Sequence, residues 1–125
     1  MSKYYITTSI PYLNSTAHIG HVLEFVQADV LARYHRLIGD DVFFLTGTDE
    51  HGLKIARSAA KAGKSEKEFV YNLAGHFRDV LKKYNISLND FIITSDQTRH
   101  WPTVVKVWNQ LLEKGYKFES ETDTE

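Results

Sequence analysis

The four residues Val42-Phe43-Phe44-Leu45 constrain what this chain can fold into more than any others. They form an unbroken apolar run between Asp40-Asp41 and Gly47, of strand length and apolar at odd and even positions alike. A strand with one wet face alternates apolar and polar residues. One that is apolar on both faces suits the centre of a parallel sheet covered by helices on each side. Residues 4–8 are a short β-prone run ahead of Pro11, and Phe91-Ile92-Ile93 is another, so three strands are predicted.

Helical patterns fill the intervals. From about His18 to Gly39, the apolar residues Val22, Leu23, Phe25, Val26, Val30, Leu31, Tyr34, Leu37 and Ile38 cover much of a helix circumference, which predicts a helix largely buried. A helix is expected over about residues 50–62, ended by Gly63. Ser65 then precedes Glu68 at capping-box spacing and opens another, with Phe69, Val70, Leu73, Phe77, Val80, Leu81 and Tyr84 on one face. Trp101, Val104, Val105, Trp108, Leu111 and Leu112 make the inner stripe of a last helix closed by Gly115. At that spacing the two tryptophans read as core, not as a base-stacking platform. Residues 116–118 are expected to begin a strand, and residues 119–125 form an acidic tail after a domain spanning 1–118. Strand, helix, strand, helices, strand, helix is the order of an α/β protein: a Rossmann-like parallel sheet with helices on both faces, amounting to one half of a doubly wound nucleotide-binding fold.

Charge narrows the partners. Fifteen Lys and Arg against 16 Asp and Glu give a net charge of −1, and the basic residues are scattered. A domain built mainly to grip a phosphate backbone would be more basic, so little nucleic-acid contact is expected from this segment. No apolar run is long enough to span a bilayer and the start lacks a signal pattern. With no cysteine there is neither a disulfide framework nor a thiolate metal cluster, which is compatible with the cytoplasm.

In open α/β sheets, ligands bind beyond the carboxyl ends of the strands, and two unusual segments fall there. Pro11-Tyr12 leads to His18-Ile19-Gly20-His21 at a helix start; Gly47-Thr48-Asp49-Glu50-His51-Gly52 follows the central strand. A helix N-terminus offers backbone N–H groups and a positive dipole end to a phosphate. Imidazoles three positions apart can face the same phosphates and stabilise charge developing on them. Gly20 would let a flat nucleoside come close to the backbone. Two blander readings stand beside these: exposed histidines at a helix start, and Asp49 and Glu50 as N-terminal helix caps. A metal site from His18, His21, His51 and Asp49 is a further alternative, though the spacing is not that of a zinc hydrolase, and no protein-bound metal is expected. His35, His76 and His100 show no partner pattern and read as surface or structural.

The His-x-Gly-His segment resembles the first signature of class I aminoacyl-tRNA synthetases, shared with related small adenylyltransferases. The wider stretch Ile10-Pro11-Tyr12-Leu13-Asn14 to His21, with Gln27-Ala28-Asp29 and the segment 47–52, is similar to the methionine–tRNA ligases, in the first half of their catalytic domain. The resemblance runs over residues 1 to about 118. It implies that His18 and His21 hold the ATP phosphates as catalytic residues, with Gly20 under the adenosine. Asp49 would accept the α-ammonium of methionine, Tyr12 would wall the amino-acid pocket, and the backbone near Ser9 and Ile10 would line it. Asn14 and Glu24 are second-rank ATP contacts, placed by proximity in sequence. Mg²⁺ would arrive with ATP as substrate, and tRNA would be the partner of the complete enzyme.

The family's second signature, Lys-Met-Ser-Lys-Ser, does not occur here, nor does a Cys-rich knuckle. The expectation is therefore a fragment whose first strand, normally central in the doubly wound order, becomes an edge. Such a chain is expected to be marginally stable, to self-associate or to need a complementary fragment. An independent small adenylyltransferase and a non-catalytic ligand-binding module are the other functions the sequence leaves open.

Overall fold

The computed structural model describes residues 1–116. Along them run β1 (Lys3–Thr7), α1 (Ile19–Leu37), β2 (Asp41–Thr48), α2 (Leu53–Lys61), α3 (Glu66–Lys83), β3 (Asp90–Ile93) and α4 (Trp101–Glu113). Residues 1–95 make one compact unit, and a second begins at Asp96. Tyr116 lies in no element; the rest of the strand expected there, and the acidic tail 119–125, lie outside the described residues.

In the first unit the three strands are parallel in the order β1-β2-β3, with Ile6 opposite Phe44 and Gly47 opposite Ile92. The apolar run thus occupies the centre and β1 the edge. β2 outlasts the run because Gly47 and Thr48 continue the pairing to β3. Glycine is required at this crossing: a Cβ on residue 47 would stand 2.3 Å from the Ile92 carbonyl oxygen.

The core lies on one face of the sheet. Val42 and Phe44 of β2 meet Phe25, Ala28 and Ala32 of α1 and Val70, Phe77 and Leu81 of α3, all buried. Burying a side chain such as Phe44 or Phe77 contributes about 1.5–3 kcal/mol. Tyr5 and Phe43 alternate to the other face, stack at 5.9 Å, and are 63% and 46% exposed. α3 begins as its sequence predicts, with the Ser65 hydroxyl accepting from the Glu68 N–H at 3.2 Å.

Two helices depart from expectation. α1 is not largely buried: only Phe25, Ala28, Asp29 and Ala32 are, while Leu23, Val30 and Leu37 are 56%, 59% and 86% exposed. The small Ala28 and Ala32 bring the helix close along a narrow stripe, and a cylinder offers one such stripe to a flat sheet. α4 has no buried residue, so Trp101 and Trp108 are half-exposed rather than core.

Polar side chains fix α1 to the turn before β3. Buried Asp29 accepts from the Ser87 N–H at 2.7 Å, the Ser87 hydroxyl at 2.5 Å and Arg33 Nε at 2.6 Å. Arg36 donates to Ser87 Oγ and Asn89 Oδ1, and Asn89 Oδ1 also accepts the Phe44 N–H of β2. His35 stacks on Tyr4 at 3.5 Å and bonds Asp40 at 2.7 Å, a structural role. Helix and central strand are thereby held in one relative position, which fixes where the N-terminus of α1 points.

Candidate active site

Parallel pairing puts the ends of all three strands on one side of the sheet, and both sequence segments emerge there. The loop after β1 is anchored by Leu13, fully buried. Its backbone then pairs with the exit of β2: Leu13 N–H donates to the Asp49 carbonyl at 3.1 Å, and Asp49 N–H to the Pro11 carbonyl at 2.9 Å. Tyr12 and Asp49, 37 positions apart by number, thus face each other across an isolated parallel bridge.

His18 is the N-cap of α1. Its Nδ1 accepts the Gly20 N–H at 3.1 Å, while the His18 N–H donates to His21 Nδ1 at 3.2 Å. This reciprocal pair is a capping box made of two imidazoles. It has a chemical consequence. Each Nδ1 is an acceptor, so in the neutral rings each Nε2 carries the proton and is a donor. The rings stack at 3.8 Å, and His21 lies edge-on to Phe77 of α3 at 5.4 Å. Burial against that surface lowers the His21 pKa, the neighbouring His18 lowers it further, and Glu24 opposes both. In their neutral form the two rings therefore offer Nε2–H groups as donors. Gly20 also has a role that the sequence reading did not foresee: a Cβ there would sit 3.0 Å from His18 Cε1, so glycine leaves room for the capping ring.

Glu24 accepts from the Ser9 N–H through one oxygen and the Ser9 hydroxyl through the other, both at 2.7 Å. The structure thus joins a residue assigned to ATP with one assigned to the amino acid, and ties the loop after β1 to the first turns of α1. Asn14 is exposed, its N–H on the Tyr12 carbonyl at 2.8 Å. Ile10 is 39% exposed.

Neither acid of segment 47–52 caps α2. That helix starts at Leu53 after Gly52, with no side-chain cap bond, so the helix expected from about residue 50 begins three residues late. Asp49 Oδ1 takes the His51 N–H at 3.4 Å. Glu50 is buried, accepting from the Thr48 hydroxyl at 3.0 Å and the Ser95 hydroxyl at 2.5 Å. Sequence reading passed over Thr94 and Ser95, although polar residues directly after a third strand lie where the sheet rule places a site. The metal alternative gains no support: among the described residues no three His, Asp or Glu side chains gather as a ligand set.

A family model described as tRNA synthetases class I (M) matches residues 4–124. The chain belongs to this family. The methionine–tRNA ligase of Listeria monocytogenes serovar 1/2a is 52% identical over 114 residues, 91% of this chain and 17% of the relative. That of Rickettsia prowazekii is 45% identical over 118 residues, 94% of this chain and 23% of the relative. A solved Mycobacterium tuberculosis methionyl-tRNA synthetase in complex with methionyl-adenylate superposes with a TM-score of 0.89 and 40% identity, over 92% of this chain and 22% of that one. The chain spans about a fifth of the length of these relatives. The α/β parallel sheet is that of this family, as the His-x-Gly-His and 47–52 segments implied. No helix among the described residues is long and apolar enough to cross a membrane.

Proposed function

We propose that this chain is catalytic-domain sequence of a methionine–tRNA ligase, binding ATP and methionine for methionyl-adenylate formation and, in the complete enzyme, serving methionyl transfer to tRNA in the cytoplasm. The observation that carries it is the Tyr12–Asp49 bridge, on the same loop after β1 that leads into the paired histidines, in a fold shared with a synthetase holding methionyl-adenylate.

In this reading the Asp49 carboxylate accepts the α-ammonium of methionine, a charge-assisted bond. Tyr12 walls the pocket, and the backbone at Ser9 and Ile10 lines it, held by Glu24. The methionine carboxylate attacks the α-phosphorus of ATP; a carboxylate–phosphorus bond forms, the bond to the bridging oxygen breaks, and pyrophosphate leaves with its Mg²⁺. His18 and His21 donate from Nε2 to the phosphate oxygens as charge shifts along the chain, with Gly20 beneath the nucleoside and Asn14 and Glu24 beside it. The protein aligns and stabilises; no covalent intermediate is needed.

Isothermal titration tests this reading, with methionine, ATP plus Mg²⁺ and a non-hydrolysable methionyl-adenylate analogue as ligands. Asp49→Ala should weaken methionine by roughly 10- to 150-fold, the worth of one charged hydrogen bond, and leave ATP nearly unchanged. His21→Ala should do the reverse. Equal loss of both ligands in either variant, or no effect of Asp49→Ala on methionine, would count against it.

A further inference from the structure

Glu50 is a buried acid that the proposed chemistry does not use, and the structure shows what it holds. Its two carboxylate oxygens accept the hydroxyls of Thr48 and Ser95, and its own N–H donates to the Thr94 hydroxyl at 2.8 Å. The Thr94 N–H in turn donates to the Thr48 carbonyl at 3.3 Å. These bonds fasten both sides of Asp49 to the chain leaving β3. Asp49 itself is bonded through its N–H and carbonyl to Pro11 and Leu13 on the opposite side. The residue therefore sits in a strap pulled from two directions, and the Glu50 carboxylate adds a side-chain bond to the backbone attachment on the β3 side.

We propose that Glu50 is a positioning residue: its carboxylate, acting through Ser95 and Thr48, sets where Asp49 stands and so tunes recognition of an α-ammonium group. The proposal rests on the reading of Asp49 given above. Removing the carboxylate leaves two hydroxyls inside without their acceptor and loosens the 48–50 segment, which then keeps only its backbone bonds to Thr94. Glutamine keeps the size and one acceptor oxygen, and its amide can donate to a hydroxyl that turns to accept. It should therefore restore the strap.

The test has a readout that needs no ligand. In the 125-residue chain, hydrogen exchange of the Asp49 and Leu13 amides reports the strap directly. Glu50→Ala should speed exchange at these two amides by about tenfold, the worth of one lost hydrogen bond, while amides of α3 keep their protection. Glu50→Gln should restore both, and methionine affinity should follow the same order with ATP affinity unmoved. Unchanged exchange at both amides in Glu50→Ala would overturn the role, whatever methionine does. If Glu50→Ala speeds exchange everywhere, Ser95→Ala decides: loss confined to Asp49 and Leu13 supports the strap, and uniform or no loss overturns it. Loss of protection in a chain that binds no methionine before mutation would uphold the strap and remove the ligand reading instead.

Discussion

The Tyr12 hydroxyl occupies the space that a side chain on residue 52 would need: a Cβ built on Gly52 stands 2.3 Å from Tyr12 Oη. Gly52 also has φ +131°, a conformation that L side chains rarely adopt. Gly52→Ala is therefore opposed by both backbone and contact, and we expect a loss of about 2–4 kcal/mol in denaturant melts. Gly63→Ala is the comparison, since Gly63 has φ +64° and nothing within 4 Å of its Cβ; about 1–2 kcal/mol is expected there. Only the change at residue 52 should also alter methionine binding.

Asp29 gives the acid limb of stability. Burial alone would raise its pKa, but the hydrogen bonds from Ser87 and Arg33 outweigh burial and lower it. The unfolded carboxyl binds its proton first as pH falls, so the contribution is complete above the ordinary carboxylate range. It is lost as pH drops through the lowered folded value. Asp29→Asn should flatten this limb in melts followed from pH 6 downward, and should cost roughly 2–3 kcal/mol near neutrality.

His21 acts in a higher window with the same sign. Its folded pKa lies below 6.5, first through burial and then through His18. The unfolded ring protonates before the folded one, so this stabilising term is full above the ordinary imidazole value and is lost as pH falls through the lowered one. Ring-proton titration by NMR should show His21 protonating below 6.5, and His21→Gln should remove the associated slope of stability. A His21 midpoint at or above 6.5 would contradict the packing against Phe77.

The exposed stripe of α1 and the edge position of β1 bear on association. Leu23, Val30 and Leu37 recur at seven-residue spacing and are more than half exposed, and among the described residues β1 pairs on one side only. Sedimentation of the chain should show concentration-dependent association. Val30→Lys should reduce it without lowering the melting temperature, because Val30 contributes little to the core.

The strand order was legible because it depends on local pattern. A run apolar on both faces belongs at a sheet centre, and the segment from Gly47 follows it, with Gly47 and Thr48 still paired to β3. The extent of α1 burial was not legible: Leu23 and Phe25 are equally apolar, and only the approach of Ala28 and Ala32 to the sheet decides which turns inward. Trp101 and Trp108 show the same limit, since periodicity marks a stripe and not what lies over it.

By itself, the sequence determined the family and the parallel α/β order, and it singled out the two segments that make the candidate site. It did so because those features are written in contiguous residues. The tertiary structure decided which groups meet. Tyr12 bridges Asp49, Glu24 grips Ser9 and Glu50 reaches Ser95 through chain crossings that no spacing encodes. Asp49 and Glu50 are adjacent acids with the same local propensity. One lies on the Tyr12 bridge and the other is buried against β3, because successive residues of an extended chain point to opposite sides.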